Sequence, residues 1–276
     1  MMRAFASLVV FAAATAAPLS AQQRVMLEAR PKPGDTLRVT LDHVFTITGG
    51  PKNAPDSATT VSTSYHIATR DVAEREDRGG TIIRARIDTV RMKTSGSMGA
   101  SPFPGVDRGM EGMTVKLRVM PDGSSELVEG QKQLDKELVA MLGAMPAVLP
   151  TAPVAVGESW VRDLPLPADG GDAGNASGTL KATFKFDSLT SGGDVAWVSI
   201  QGRVVSDGKA AKDGPGIGQP SGTLAGLLRL DRKRGWLAES RATVTLESVV
   251  TLAGGGPPLV VKVHVNQVMH TAPARR

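Results

Sequence analysis

Four histidines, His43, His66, His264 and His270, are the side chains of this sequence best suited to metal ligation or proton transfer near neutral pH. His264 and His270 fall on the same side of an alternating stretch together with Asn266 and Val268. Along an extended strand their separation is about 20 Å, too far for one ion to take both. No HExxH helix is present, so neither zinc nor iron binding is expected. His43 is different, because alternation places it on an apolar face. Such a histidine either satisfies its ring nitrogens on backbone in a core or barrel mouth, or touches a ligand.

Other segments carry reactive residue types without the spacing that chemistry needs. "DGGDAGN" at 169–175 offers oxygen ligands in a glycine loop, but it lacks the twelve-residue loop and closing glutamate of a calcium hand. Ser206 and Lys209 match S-x-x-K, yet in a glycine loop rather than at a helix start, and the companion SDN and KTG motifs are missing. "GPGIGQPSG" at 214–222 joins strands and has neither GxGxxG nor GK[ST], so no phosphate cradle follows. With 0 cysteines there is no thiolate metal site, no disulfide, no cysteine nucleophile and no lipid-modified N-terminal cysteine. Neither a catalytic residue nor a cofactor is implied.

What the sequence does offer is apolar, adaptable side chains around a long loop. "SGSMGASPFPGVDRGMEGM" at 95–113 holds Met98, Phe103, Met110 and Met113, and the stretch that follows adds Met141 and Met145. Methionine fits irregular apolar partners, and long loops of this kind often act as lids. Together with His43 these six are the candidate ligand-binding residues, forming a concave apolar site if a curved sheet underlies them. Ordinary gap-filling beneath a surface loop is the competing reading.

Such a site needs a sheet to hold it, and strict alternation supplies one. In "DTLRVTLDHVFTI" Leu37, Val39, Leu41, His43, Phe45 and Ile47 share one face, while Arg38, Thr40 and Asp42 share the other. "GTLKATFKFD" repeats the pattern with Leu180, Ala182, Phe184 and Phe186 inward. Further strands are expected near 61–69, 81–91, 114–120, 125–129, 195–205, 223–230, 236–252 and 259–269, divided by glycine and proline turns. One stretch breaks the rule: Leu134, Leu138, Met141, Leu142 and Met145 recur at three- and four-residue spacing, which predicts a helix over 131–145 within a connector 131–150.

"MMRAFASLVVFAAATAAPLSAQQ" has the layout of a secretory signal, with Arg3, an apolar run and a small-residue close, and cleavage is expected after Ala21. No other stretch is long enough for a spanning helix, so the expectation is a secreted chain, periplasmic or extracellular, with no integral membrane span. Removing residues 1–21 leaves enough chain to bury about 70–75% of the surface its unfolded form exposes. The net charge of +5 is spread among both signs, and aromatics make up only 4%, which argues against nucleic acid and against a stacked carbohydrate face.

The two halves echo one another. Gly34-Asp35-Thr36-Leu37 corresponds to Gly157-Glu158-Ser159-Trp160, "GGTIIRARI" at 79–87 to "GGDVAWVSI" at 192–200, and "KLRVMPDG" at 116–123 to "LLRLDRKRG" at 227–235. The landmarks come in one order, which suggests a duplicated β-unit. "LPTAPVAVGESW" at 149–160 also resembles the "lP..pV..GdsW" signature of a family of uncharacterised secreted bacterial proteins, a domain of unknown function. Leu149, Pro150, Pro153, Val154, Gly157, Ser159 and Trp160 match, with Glu158 in place of the commoner aspartate. The resemblance implies a β-rich second half and no activity. Its outline is similar to the half-barrel sheets of periplasmic lipoprotein carriers, an analogy of fold alone.

The expectation is therefore a mainly β chain: two related antiparallel units, 22–130 and 151–270, form a curved sheet or half-barrel around one central helix, with a tail at 271–276. The leading function is non-catalytic binding of a lipid or other apolar ligand in the envelope. The alternatives are an assembly protein that contacts envelope proteins through a sheet edge, and a hydrolase whose site assembles from distant residues.

Overall fold

The computed structural model describes residues 23–274 apart from 55–56, 97–109, 131–143, 167–177, 207–215 and 252–255. The described strands are β1 (Thr36–Pro51), β2 (Thr59–Asp77), β3 (Gly80–Gly96), β4 (Thr114–Val119), β5 (Ser125–Glu129), β6 (Ala144–Met145), β7 (Ser159–Pro165), β8 (Gly178–Leu189), β9 (Val195–Ser206), β10 (Gly216–Ile217), β11 (Ser221–Asp231), β12 (Trp236–Thr251) and β13 (Leu259–Pro273). All 13 belong to one antiparallel sheet in the order β6-β5-β4-β3-β2-β1-β13-β12-β11-β9-β8-β7, with β10 paired to β12. Each half is a meander, the two are joined where β1 meets β13, and the sheet stays open between β6 and β7.

Alternation decides which way each strand faces. His43 lies opposite Tyr65 on β2 and Gln267 on β13, and the same row continues through Ala242, Gly226, Ile200 and Phe184 to Trp160. Every strand thus turns its apolar set to the same side. Two features bend that side inward. Register shifts at Ala68/Thr69, Ala73/Arg75, Lys116/Leu117, Phe186/Ser188 and Arg229/Leu230 are bulges, which sharpen local twist. Gly226 has no side chain on the inner face, and a Cβ there would lie 2.5 Å from the Arg241 carbonyl oxygen. The result is one large antiparallel sheet, locally distorted at these points and not closed on itself.

Its two ends differ. Tight turns at 78–79, 121–124, 190–194 and 232–235 gather at one end, together with the starts of β1 and β7. The ends of β1, β3, β7, β9 and β12 lie at the other. A strap from Arg24 to Lys32 crosses the tight-turn end: Val25 exchanges backbone hydrogen bonds with Val154, Ala29 N–H donates to Pro121 O, and Thr81 Oγ1 donates to Pro31 O. The segment 146–155 completes the base. Val148 and Leu149 N–H both donate to Asp122 O, and Trp160 Nε1 and an Arg162 nitrogen donate in turn to the carbonyls of Val148 and Leu149, at 2.9 and 2.6 Å. This ties the β4–β5 turn to edge strand β7. The base is therefore closed although the sheet is not.

Two apolar clusters fill the inner face. The larger packs Leu27 of the strap and Leu149 among Phe184, Phe186, Val198, Leu228 and Leu230, with Val119 of β4 and Trp160 of β7 against it. Phe184 and Phe186 are 0% exposed, and burying each contributes about 2–3 kcal/mol. The smaller packs Tyr65, Ile67, Ile87, Val90, Val115 and Leu127 around Met110.

The helix expected over 131–145 is not supported. Ala144 and Met145 form β6, opposite Glu126 and Ser125, because the free edge of β5 offers backbone groups that an extended neighbour can satisfy. Residues 131–143 lie outside the described residues, among which there is no helix. Nor is any described helix long and apolar enough to cross a membrane.

Candidate functional site: the apolar face of the sheet

Between the two clusters, β1, β13 and β12 present an apolar strip. Val39, Phe45, Ile47, Leu246, Val261, Val263, Val265 and Met269 point to the inner face but belong to neither cluster. Several of them, Phe45, Ile47 and Leu246 included, are only half-buried. Strip and clusters together make one continuous apolar face of the sheet, here called the trough, above the base that the strap and 146–155 cover.

His43 sits in the middle of this strip. Its ring is 6.1 Å from that of Tyr65, tilted by 57°, and burial holds its imidazole below the usual histidine range. At neutral pH it is uncharged, with one N–H donor and one acceptor nitrogen. Gln267 stands directly opposite on β13. Neither side chain has a hydrogen-bond partner among the described residues.

Charge is nearly absent from this face. On the described strands that share it the charged side chains are Asp71, Glu76 and Arg162, all near the base and all already bonded. Arg30 donates to Glu76 Oε1 at 3.3 Å. Thr69 Oγ1 donates to Asp71 Oδ1 at 2.7 Å, and Arg162 donates to Leu149 O. Burial pushes the Asp71 carboxyl up to about 6; the Thr69 hydrogen bond opposes that shift and nearby Asp88 adds to it.

The other face is polar and exposed. His66 pairs with Asp42 at 2.7 Å there. His264 meets Thr245 at 3.2 Å and Asn266 at 3.0 Å, while Thr243 donates to Asn266 Oδ1. No group of three or more His, Asp or Glu placed to hold a metal occurs among the described residues. A cavity of about 450 Å³ lies away from the trough, against the base, lined by Lys32, Asp35, Asp194, Val195, Asp231, Lys233 and Arg234. Its charges of both signs make it a hydrated cleft.

Of the candidates named from sequence, the structure brings His43, Met110 and Met113 to the inner side. Met110 is buried in the smaller cluster and Met113 packs on it, fastened by Gly112 N–H to Ile87 O and Ile87 N–H to Met113 O. Both are part of the wall. Met145 lies in β6, whereas Met98, Phe103 and Met141 lie outside the described residues. Sequence reasoning missed Gln267, Val263, Val265 and Leu246. The signal was present in "LVVKVHVNQVMHT", where the residues alternating with His264, Asn266 and His270 are almost all apolar.

No protein-family model and no curated protein matches the chain, so the family resemblance rests on the 149–160 motif alone. A solved structure titled "Lipid-protein interactions in lipovitellin" is similar over 89% of this chain and 26% of its own, with a TM-score of 0.49 and 10% identity. The chain thus spans about a quarter of that protein's length. A likeness at that level carries no weight for function.

Proposed function

We propose that this protein binds a lipid or other apolar ligand, without chemistry, along the inner face of the half-barrel. The observation that carries the reading is the strip of β1, β13 and β12 that joins neither core cluster and is half-buried at Val39, Phe45, Ile47, Leu246, Val261 and Met269. A strip of this kind normally marks a binding surface, since water gains nothing there and burial of each square ångström contributes about 25 cal/mol. Catalysis has less support. His43 has no acid or hydroxyl partner among the described residues, and His66, which pairs with Asp42, is on the opposite face. A sheet-edge scaffold is also weaker, because edge strand β7 is seven residues long and ends at Pro165.

The layout of residues 1–21 supports secretion to the envelope, where a carrier of apolar molecules has a use; N-terminal sequencing of exported protein should begin at Gln22. We also infer that the half-barrel arose by duplication of one meander. Gly34 and Gly157 have φ of 94° and 92°. Each donates to the neighbouring strand, Gly34 N–H to Ala73 O and Gly157 N–H to Phe186 O, and each following acid accepts back from the same residue. The acid side chains even cap the same turn, Asp35 on Lys32 N–H and Glu158 on Ala155 N–H.

The deciding experiment is organic extraction of natively purified protein followed by mass spectrometry. Stoichiometric lipid is the expected result, and Leu246→Asp, at a half-buried position of the strip, should lose it while remaining folded. A clean extract, together with no uptake of added lipid, would end the proposal.

A further inference from the structure

The trough has a polar station halfway along it. His43 and Gln267 are directly opposed across the β1–β13 junction, so their Cβ atoms lie about 5 Å apart. Apolar residues flank them on both sides: Leu41 and Met269 toward the base, Phe45 and Val265 toward the mouth. Both are partly buried and neither has a hydrogen-bond partner among the described residues. A pair of donors and acceptors in such a place loses hydration when a ligand covers it, and that loss is repaid only if the ligand supplies matching groups.

Among the described residues no charge stands beside them. Asp71, Glu76 and Arg162, the charged residues of the described inner strand face, are near the base and satisfied within the chain. A ligand carboxylate or phosphate brought to the station would therefore lose its water with no cation to pair with, a cost that hydrogen bonds from a neutral imidazole and an amide do not offset. An uncharged hydroxyl, ester or ketone meets no such penalty. Each can accept from the Gln267 amide or from the imidazole N–H, and a hydroxyl can also donate to the imidazole nitrogen or the amide oxygen.

We propose that the trough selects a neutral lipid whose uncharged hydroxyl or carbonyl group hydrogen-bonds to His43 and Gln267, and that it discriminates against the corresponding carboxylate. The proposal rests on the apolar-ligand reading above and names the ligand class for that site.

Three probes separate the two ideas: monoolein, oleate and the hydrocarbon octadecane, each titrated into delipidated full-length mature protein at pH 8 by equilibrium dialysis. Monoolein should bind at least tenfold more tightly than oleate. His43→Phe combined with Gln267→Leu should remove that preference and leave octadecane binding unchanged. Gln267→Leu alone, which keeps the buried ring, should lower the preference at least threefold and serves if the double variant does not fold. Oleate binding as tightly as monoolein, or a preference that survives both substitutions, overturns the neutral-lipid assignment while leaving apolar binding in place. Failure of all three probes to bind overturns both.

Discussion

Asp71 and His43 sit on the same inner face and respond to pH in opposite directions. Asp71 has a folded-state pKa raised from 3.8 to about 6, so the folded protein holds its proton more tightly than the unfolded chain does. The protonated fold is favoured below pH 4, and stability falls as pH rises through about 6, by about 3 kcal/mol at most. His43, lowered by burial, contributes a loss of stability as pH falls through its unfolded value of 6.5. Asp71→Asn should remove the first effect alone. Urea unfolding at pH 4.5 and 7.5 should find the variant more stable than wild type at the higher pH and no better at the lower; an unchanged difference between the two pH values would show that Asp71 is not buried as described. At Phe184, fully buried and stacked on Trp160 with ring centroids 5.8 Å apart, truncation to Ala should cost about 3–5 kcal/mol in the same assay.

At the scale of elements, the strap and the two entry turns make separate predictions. Arg24 makes two hydrogen bonds to Glu158, at 2.6 and 2.7 Å, but its side chain is 56% exposed. Leu27 is completely buried in the larger cluster. Packing should outweigh the ion pair: Leu27→Ala should cost about 2–5 kcal/mol and Arg24→Ala less than about 1 kcal/mol by chemical denaturation. The turns give a test of the repeat. Neither Gly34 nor Gly157 has any atom within 4 Å of a Cβ built on it, so substitution costs only the left-handed backbone. Gly34→Ala and Gly157→Ala should each destabilise by about 1–2 kcal/mol and match one another closely. A large difference in thermal shift would mean that the two turns are alike only in outline.

Across the whole molecule, the proposed function depends on one face staying continuous from β2 to β7 while only part of it is filled. A charge introduced on the strip should empty the trough without unfolding the sheet, because Leu246 is half-buried and belongs to neither cluster. Mass spectrometry of the extracted Leu246→Asp protein, beside its unfolding curve, reads both quantities. Loss of ligand together with loss of fold would instead make the strip part of the core.

Much of this was legible in the residues themselves. Alternation in "DTLRVTLDHVFTI" and "GTLKATFKFD" placed the strands and put His43 on the apolar side, since a period of two leaves a half-buried strand no other choice. Glycine followed by an acid announced both entry turns, because only glycine takes φ near 90° without strain and the acid caps the turn behind it. Periodicity misled at 144–145: a spacing of three and four describes a segment in isolation, and it could not anticipate that the exposed edge of β5 recruits Ala144 and Met145 as a strand. Strand order and closure of the base belong to tertiary structure as well. That β1 pairs with β13, and so sets Gln267 opposite His43, depends on two segments more than two hundred residues apart. Local pattern specifies which way a side chain faces, but partner and register are chosen by the burial of the whole sheet, with the strap across its base.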